Sequence, residues 1–385
     1  ILSNSSYGFE KSNLYDFMKL YVGNGLLTAP VSIWKIHRRI LNPVFKKQMI
    51  STYVDSIVKN SNRLINNLET NTGKNVNFHH YVHLCTLDII FESLLKIDLD
   101  LQKNLELKFT GYIMEALDLV MQRIIKIWLH PDVTFNNSSL GKRMKALLSI
   151  LNKITSKIKS SFLDVLFISH NENGEISEQD IRDEINTIVL AGSETTAGTL
   201  KFLFLMLASF PDIQQQAYEE LYDIYGSSDT NDVPITLEDI NKMKYLERVI
   251  KETLRLFPAV PFIARTLSSD TEVDENLVIP KNCTVVFSMF TLHRKENYWR
   301  EPLRFNPDRF LPGNFNQKYF LLFSSGKRGC IGEKFAMIEM KAIAATVLRK
   351  FDVRMDNPVS VENVNLKIGI ALKPAEPIFL RFNKR

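Results

Sequence analysis

Phe323-Ser-Ser-Gly326-Lys-Arg328-Gly329-Cys330-Ile-Gly332 leads straight into a helical pattern that runs from Glu333 to Phe351. Cys330 therefore stands at the mouth of a helix, where unpaired N–H groups and the positive end of the dipole favour a negative sulfur. Gly326, Gly329 and Gly332 let the backbone fold tightly and bring amides close to that sulfur. Arg328 adds a cation two residues away, suited to a carboxylate on a bound group. No second Cys or His lies nearby at zinc spacing, so a structural zinc site is not expected there. Cys85 and Cys283 sit among apolar neighbours and read as buried thiols. Three cysteines in 385 residues suggest no disulfide framework and fit a reducing compartment.

Upstream of this loop, Ser177 with Asp180 makes a capping-box start for a helix running to Ser209, where Pro211 stops it. At 1.5 Å per residue it is on the order of 45 Å long, enough to cross a domain. From Ile188 to Leu207 only Glu194 and Lys201 carry charge, which predicts a helix at the centre of the fold. Within it, Ala191-Gly192-Ser193-Glu194-Thr195-Thr196 places a charge and hydroxyls where they are costly unless paired or functional. Gly192 should weaken the helix locally, and Thr195 should bond back to a carbonyl and open the ladder. A second capping box, Thr236 with Asp239, predicts one helix ending before Pro258, with Glu252 and Arg255 on one face.

Between Ser51 and Ile168 apolar residues recur at helical spacing, whereas Leu277–Ile279, Thr284–Phe287 and parts of Ile368–Phe382 read as short strands. Polar breaks fall at 71–75, 136–139, 171–174 and 226–232, none long enough for a domain linker. The class is mainly α with a minor β portion, read as a single domain over residues 1–385. The chain is 45% apolar with a formal charge of +5, and its basic residues are scattered rather than striped, which argues against a nucleic-acid binder. Its most apolar stretch, Phe202–Phe210, is too short to cross a bilayer. His79 and His83 have i,i+4 metal spacing, but no acidic or Cys ligand joins them at Glu/His spacing. With His80 they are read as a solvated helix start.

A single thiolate ringed by amides is the proximal arrangement that pushes electron density onto haem iron. The segment resembles the haem-binding signature of the cytochrome P450 superfamily, Phe-x-x-Gly-x-Arg-x-Cys-x-Gly, with every fixed position filled by Phe323, Gly326, Arg328, Cys330 and Gly332. The resemblance implies the P450 fold, haem b (iron protoporphyrin IX) with Cys330 as axial ligand, and monooxygenase activity on an apolar substrate. It implies propionate contacts from Trp34 and Arg38 in a Trp-x-x-x-Arg segment, from Arg265, and from Arg328. Glu252, Arg255 and Arg309, the last in Pro307-Asp-Arg-Phe310, match the family's bracing triad, and His293 reads as structural. Glu194 and Thr195 match its acid–alcohol pair, which relays protons during oxygen activation. Pocket positions are Leu190, Ala191, Thr195, Val260, Ile263, Ile370 and Ala371.

Within the superfamily, residues 184–196 resemble the signature of the fatty-acid-oxidising family four, and 15–17 with 23–27 its insect microsomal members. Where many of those have a glutamate that esterifies the haem, this chain has Ala191, which predicts a non-covalent porphyrin and puts terminal-carbon selectivity in doubt. The implied electron donor is NADPH–cytochrome P450 reductase, with cytochrome b5 as a further partner and Lys46, Lys47, Lys327 and Lys334 as docking contacts. Family members begin with a membrane anchor and about a hundred residues before the Trp-x-x-x-Arg helix. The expectation is therefore a partial sequence whose N-terminal anchor and first elements are missing, from a protein of the endoplasmic reticulum membrane facing the cytoplasm. The alternatives are a haem-thiolate isomerase or dehydratase, which needs no reductase, and a non-enzymatic haem sensor.

Overall fold

The computed structural model describes residues 2, 10–104, 109–155, 176–228 and 232–385. The polar break at 171–174, the end of the helical pattern read up to Ile168, and residues 229–231 of the 226–232 break lie outside the described residues. The chain is 59% helical with about 10% strand, as the mainly α reading expects.

The helices that build the core are α1 (Val31–Leu41), α2 (Val54–Glu69), α3 (Phe78–Ser93), α4 (Phe109–Ile125), α5 (Ser139–Thr155), α6 (Glu178–Ser209), α7 (Pro211–Tyr225), α8 (Leu237–Lys242), α9 (Lys244–Leu256) and α10 (Glu333–Lys350). Helix α6 starts where the sequence places it: Ser177 Oγ accepts from the Asp180 amide, and Asp180 Oδ2 accepts from the Ser177 amide at 2.8 Å. By length and composition α6 would suit a membrane, yet 83% of its most apolar window is buried inside the protein. It is the core helix. Helix α3 packs along its length, and α9 and α10 pack against its other sides. Where α6 meets α3, a Cβ on Gly192 would lie 2.5 Å from Ile90 Cδ1, so the residue permits close approach rather than bending. Thr195 does donate to the Ala191 carbonyl, at 2.8 Å, but α6 stays helical from Glu178 to Ser209; the expected opening of its ladder is absent.

The helix expected from Thr236 to Pro258 divides into α8 and α9 at Met243, whose ψ of 76° leaves the helical region. The break has a cause: Glu220 on α7 accepts from the amides of Tyr245 and Leu246 at 2.6 and 2.9 Å, capping a fresh helix start.

Short strands form small antiparallel sheets at the edge of the helices. β1 (Glu10–Lys11), β3 (Phe262–Thr266) and β6 (Thr284–Ser288) make one, and β2 (Asn75–Asn77), β10 (Phe379–Lys384) and β7 (Phe351–Arg354) another. β4 (Thr271–Asp274) pairs with β5 (Leu277–Ile279), and β8 (Leu366–Lys367) with β9 (Lys373–Pro374). The segments 277–279 and 284–288 are strands as read, but each pairs with a partner upstream of both rather than with the other.

Candidate functional site

The loop before α10 is built as a tight cradle. The Cys330 amide donates to the Phe323 carbonyl at 2.9 Å and the Gly329 amide to that of Gly326 at 2.9 Å. Gly326 supports this with a φ of 73°, a backbone conformation that suits glycine. A Cβ on Gly329 would press to 3.0 Å on the Gly326 oxygen, and one on Gly332 would sit 4.0 Å from the Cys330 sulfur. Backbone amides of Gly332 and Glu333 point at that sulfur, which remains exposed. Burial in the protein's bulk pushes the Cys330 thiol up; the two amides and the Arg38 charge pull it down, and Glu333 adds to the rise. The balance is upward. A cation held at the sulfur would add to the downward pull of the amides and Arg38. Of the other cysteines, Cys85 is buried as expected, whereas Cys283 is only half-buried.

Cations gather beside the cradle. Arg38 on α1 donates to the Gly329 carbonyl at 2.9 Å. Arg328 donates to the Ala29 carbonyl at 2.8 Å, and its guanidinium lies 4.5 Å over the Trp34 ring. Arg265, on β3, is 1% exposed, and its Nε has no hydrogen-bond partner. Lys11 is a member that the sequence did not reveal. β1 pairs antiparallel with β3 so that Lys11 stands opposite Arg265, with its ammonium 4.3 Å over the Tyr15 ring. A two-residue strand paired with one some 250 positions away leaves no local signal. Burial lowers Lys11, and the charges of Arg265 and Arg328 lower it further. Burial likewise lowers Arg328, to about 10, against the pull of Glu10. Two buried cations, Arg265 and Arg328, with half-buried Lys11 and Arg38 beside them and one donor orphaned, fit a bound group bearing carboxylates.

On α6 one face is open. Ala191 is exposed although the helix around it is buried, Thr195 follows one turn later, and a Cβ built on Gly198 would meet nothing within 4 Å. Leu190 turns aside into a narrow apolar gap with Met18, Tyr21, Ala116, Val120 and Met144. The Leu372 amide donates to the Ala259 carbonyl at 3.0 Å, which ties Ile370 and Ala371 to the Pro258–Pro261 turn carrying Val260. Val260 is 37% exposed, and Ile263, Ile370 and Ala371 are half-buried. The open positions of α6 with Val260, Ile263, Ile370 and Ala371 suit an apolar ligand, and the cysteine cradle with its cations suits a carboxylate-bearing macrocycle.

The bracing triad is assembled. Glu252 and Arg255 are fully buried and joined at 2.7 and 2.9 Å, and Arg309 Nε lies 3.4 Å from Glu252 Oε1. Glu252 also accepts from the Asn306 amide, and Arg255 donates to the His293 carbonyl. His293 accepts from the Leu321 amide at 3.2 Å, a structural position as expected. The four lysines Lys46, Lys47, Lys327 and Lys334 are exposed.

Two expectations fail. Glu194 is 5% exposed and faces α3, with Oε2 3.3 Å from His83 Nε2, while the Thr195 hydroxyl is spent on Ala191; no hydrogen bond joins the acid to the alcohol. The histidines are not a solvated helix start. His83 is 1% exposed, both ring nitrogens of His79 are buried, and the acid that sequence spacing did not offer arrives from α6. Their apolar neighbours on α3 gave that signal. Family-four-like residues tie α6 to elements nearer the N-terminus: Glu184 Oε1 lies 2.7 Å from His37 Nδ1 on α1, and Asn186 donates to the Tyr21 carbonyl at 3.1 Å.

The sequence model of the Cytochrome P450 family matches residues 3–382. The chain is 32% identical to Cytochrome P450 4V2 of Mus musculus over 100% of its own length and 78% of that protein. It is 30% identical to Cytochrome P450 4c3 of Drosophila melanogaster over 99% of its length and 77% of the relative. Among solved structures, the cytochrome P450DA heme domain superposes with a TM-score of 0.85 at 22% identity, covering 100% of this chain and 85% of that one.

Proposed function

The chain belongs to the cytochrome P450 family and is a haem b monooxygenase, and we propose that it hydroxylates an apolar substrate of fatty-acid or xenobiotic class with electrons from NADPH–cytochrome P450 reductase. The observation that carries the proposal is the cysteine cradle beside Lys11, Arg38, Arg265 and Arg328. In this reading Cys330 would hold the iron, Trp34 and the four cations would hold the carboxylates of the haem, and Phe323, Gly326 and Gly332 shape the cysteine loop. Bound there, haem supplies the reductive activation of O2. Ala191 offers no carboxylate, so the porphyrin is held without an ester bond.

The chain's own residues then have separable tasks. Ala191, Val260, Ile263, Ile370 and Ala371 exclude water from the reacting space and hold apolar carbon there, whereas Leu190 packs into the gap on the other side of α6. Thr195 holds a proton at its hydroxyl on the open face of α6. Glu194, the next residue, faces α3 and forms no hydrogen bond with that hydroxyl. Glu252, Arg255 and Arg309 brace the segment below the cradle. Exposed Lys46, Lys47, Lys327 and Lys334 offer charge to the reductase, and to cytochrome b5, at the endoplasmic reticulum membrane on its cytoplasmic side. A panel of fatty acids and xenobiotics should shift the haem spectrum on binding. With reductase, NADPH and O2, binders should yield hydroxylated products. Rearranged product formed without NADPH, or no substrate-stimulated oxygen uptake, would overturn the proposal.

A further inference from the structure

We propose that His79 and His83 of α3 and Glu194 of α6 form a second metal site, for a divalent transition ion of the zinc type, that staples the two helices together. One donor atom from each side chain lies within 4.8 Å of the others. The His83 Nε2 to Glu194 Oε2 distance is already 3.3 Å. Zinc with bonds of about 2.0–2.1 Å to nitrogen and oxygen brings neighbouring ligands to roughly 3.4 Å in a tetrahedron, so small side-chain rotations complete the set. The i,i+4 spacing stacks the two rings, with centroids 5.4 Å apart, and directs both toward α6.

The second observation is lack of satisfaction. Both ring nitrogens of His79, both of His83 and Oε2 of Glu194 are buried without a hydrogen-bond partner. Buried polar atoms are nearly always paired, and here several orphans converge on one point. Two imidazoles and one carboxylate favour zinc or a neighbour in the transition series over magnesium or calcium, and they leave a position for water.

Other charged groups face the site. Lys373, on β9, is engaged by Asp118 at 2.5 Å, and His80 is half-buried nearby. Lys201 is the main opponent: it is 3% exposed, its ammonium lies 5.3 Å over the Phe202 ring, and its charge acts on Glu194 and both histidines. The site lies behind Thr195, on the α3 side of α6.

The test uses the haem-loaded protein, stripped with a chelator and dialysed against zinc chloride. Elemental analysis gives the zinc-to-haem ratio, and competition with a chromophoric chelator gives affinity. Wild type should hold one tight zinc per haem, with X-ray absorption showing imidazole at about 2.0–2.1 Å. His79→Asn and His83→Asn should each weaken binding by at least about 100-fold, since even outer-shell partners are worth 10–100-fold. Lys201→Met, which removes the opposing charge, should tighten it by at least about tenfold. Haem content and circular dichroism report whether each variant folds. If the histidine variants do not fold, Lys201→Met decides. The absence of tight zinc in wild type, unchanged affinity in a folded histidine variant, or unchanged affinity in Lys201→Met would overturn the site.

Discussion

At the scale of single residues, chemistry was legible where it is written in a short window and illegible where it is assembled from afar. Cys330, Gly326 and Arg328 announce themselves within ten positions. Lys11 and the Glu194–His83 contact do not, because each joins elements far apart in the chain. Thr195 is the residue whose hydroxyl fronts the open side of α6. Thr195→Ala should lower product formation roughly 100-fold, the low end for a positioned proton donor, with the NADPH consumed recovered as hydrogen peroxide. Unchanged coupling would count against the relay. Ala191 makes a sharper claim: with no carboxylate at that position, acid–organic extraction should strip the porphyrin completely, and haem retained on the denatured chain would contradict it.

At the scale of elements, boundaries followed sequence wherever local capping sets them. Ser177–Asp180 starts α6, and Thr236–Asp239 starts α8, as their spacing implies. Ser177→Ala should cost about 1 kcal/mol of stability, read from urea unfolding. The break at Met243 was invisible because its cap, Glu220, comes from another helix. Strand partners were equally hidden: 277–279 and 284–287 read as short strands with no partner named, and pairing falls to β4 and β3 upstream of both. The triad joins α9 to residues 306–309 through a carboxylate with no exposed surface. Glu252→Leu strands Arg255 as an uncompensated buried charge and should lower unfolding free energy by about 3–5 kcal/mol. A loss below 1 kcal/mol would mean that the brace is dispensable.

At the scale of the whole molecule, hydropathy was enough to put α6 at the centre and the cysteine loop before a long buried helix, which is why the fold class could be read at all. Where the open space beside α6 runs could not be read, because it depends on how α1, β3 and the 370–371 turn close around it. Burial also ties global stability to pH. His293 is fully buried, and burial with Arg255 and Arg294 nearby lowers it to about 3. The folded protein thus binds fewer protons there than the unfolded chain, and stability is whole above about pH 6.5 and lost as pH falls from there toward 3. His293 should contribute about 1.4 kcal/mol per pH unit below 6.5 to that loss, beside the shares of buried His79 and His83. His293→Gln should lessen the slope by that amount, and a pH profile parallel to that of the wild type would contradict it. The account as a whole stands on the sulfur of Cys330 as the iron's ligand. The decisive measurement is the absorption spectrum of the dithionite-reduced, carbon monoxide-treated protein and of Cys330→Ser. The wild type should show the strongly red-shifted Soret band of a thiolate-ligated haem and the variant should lack it; a red-shifted band that survives in Cys330→Ser would contradict the account.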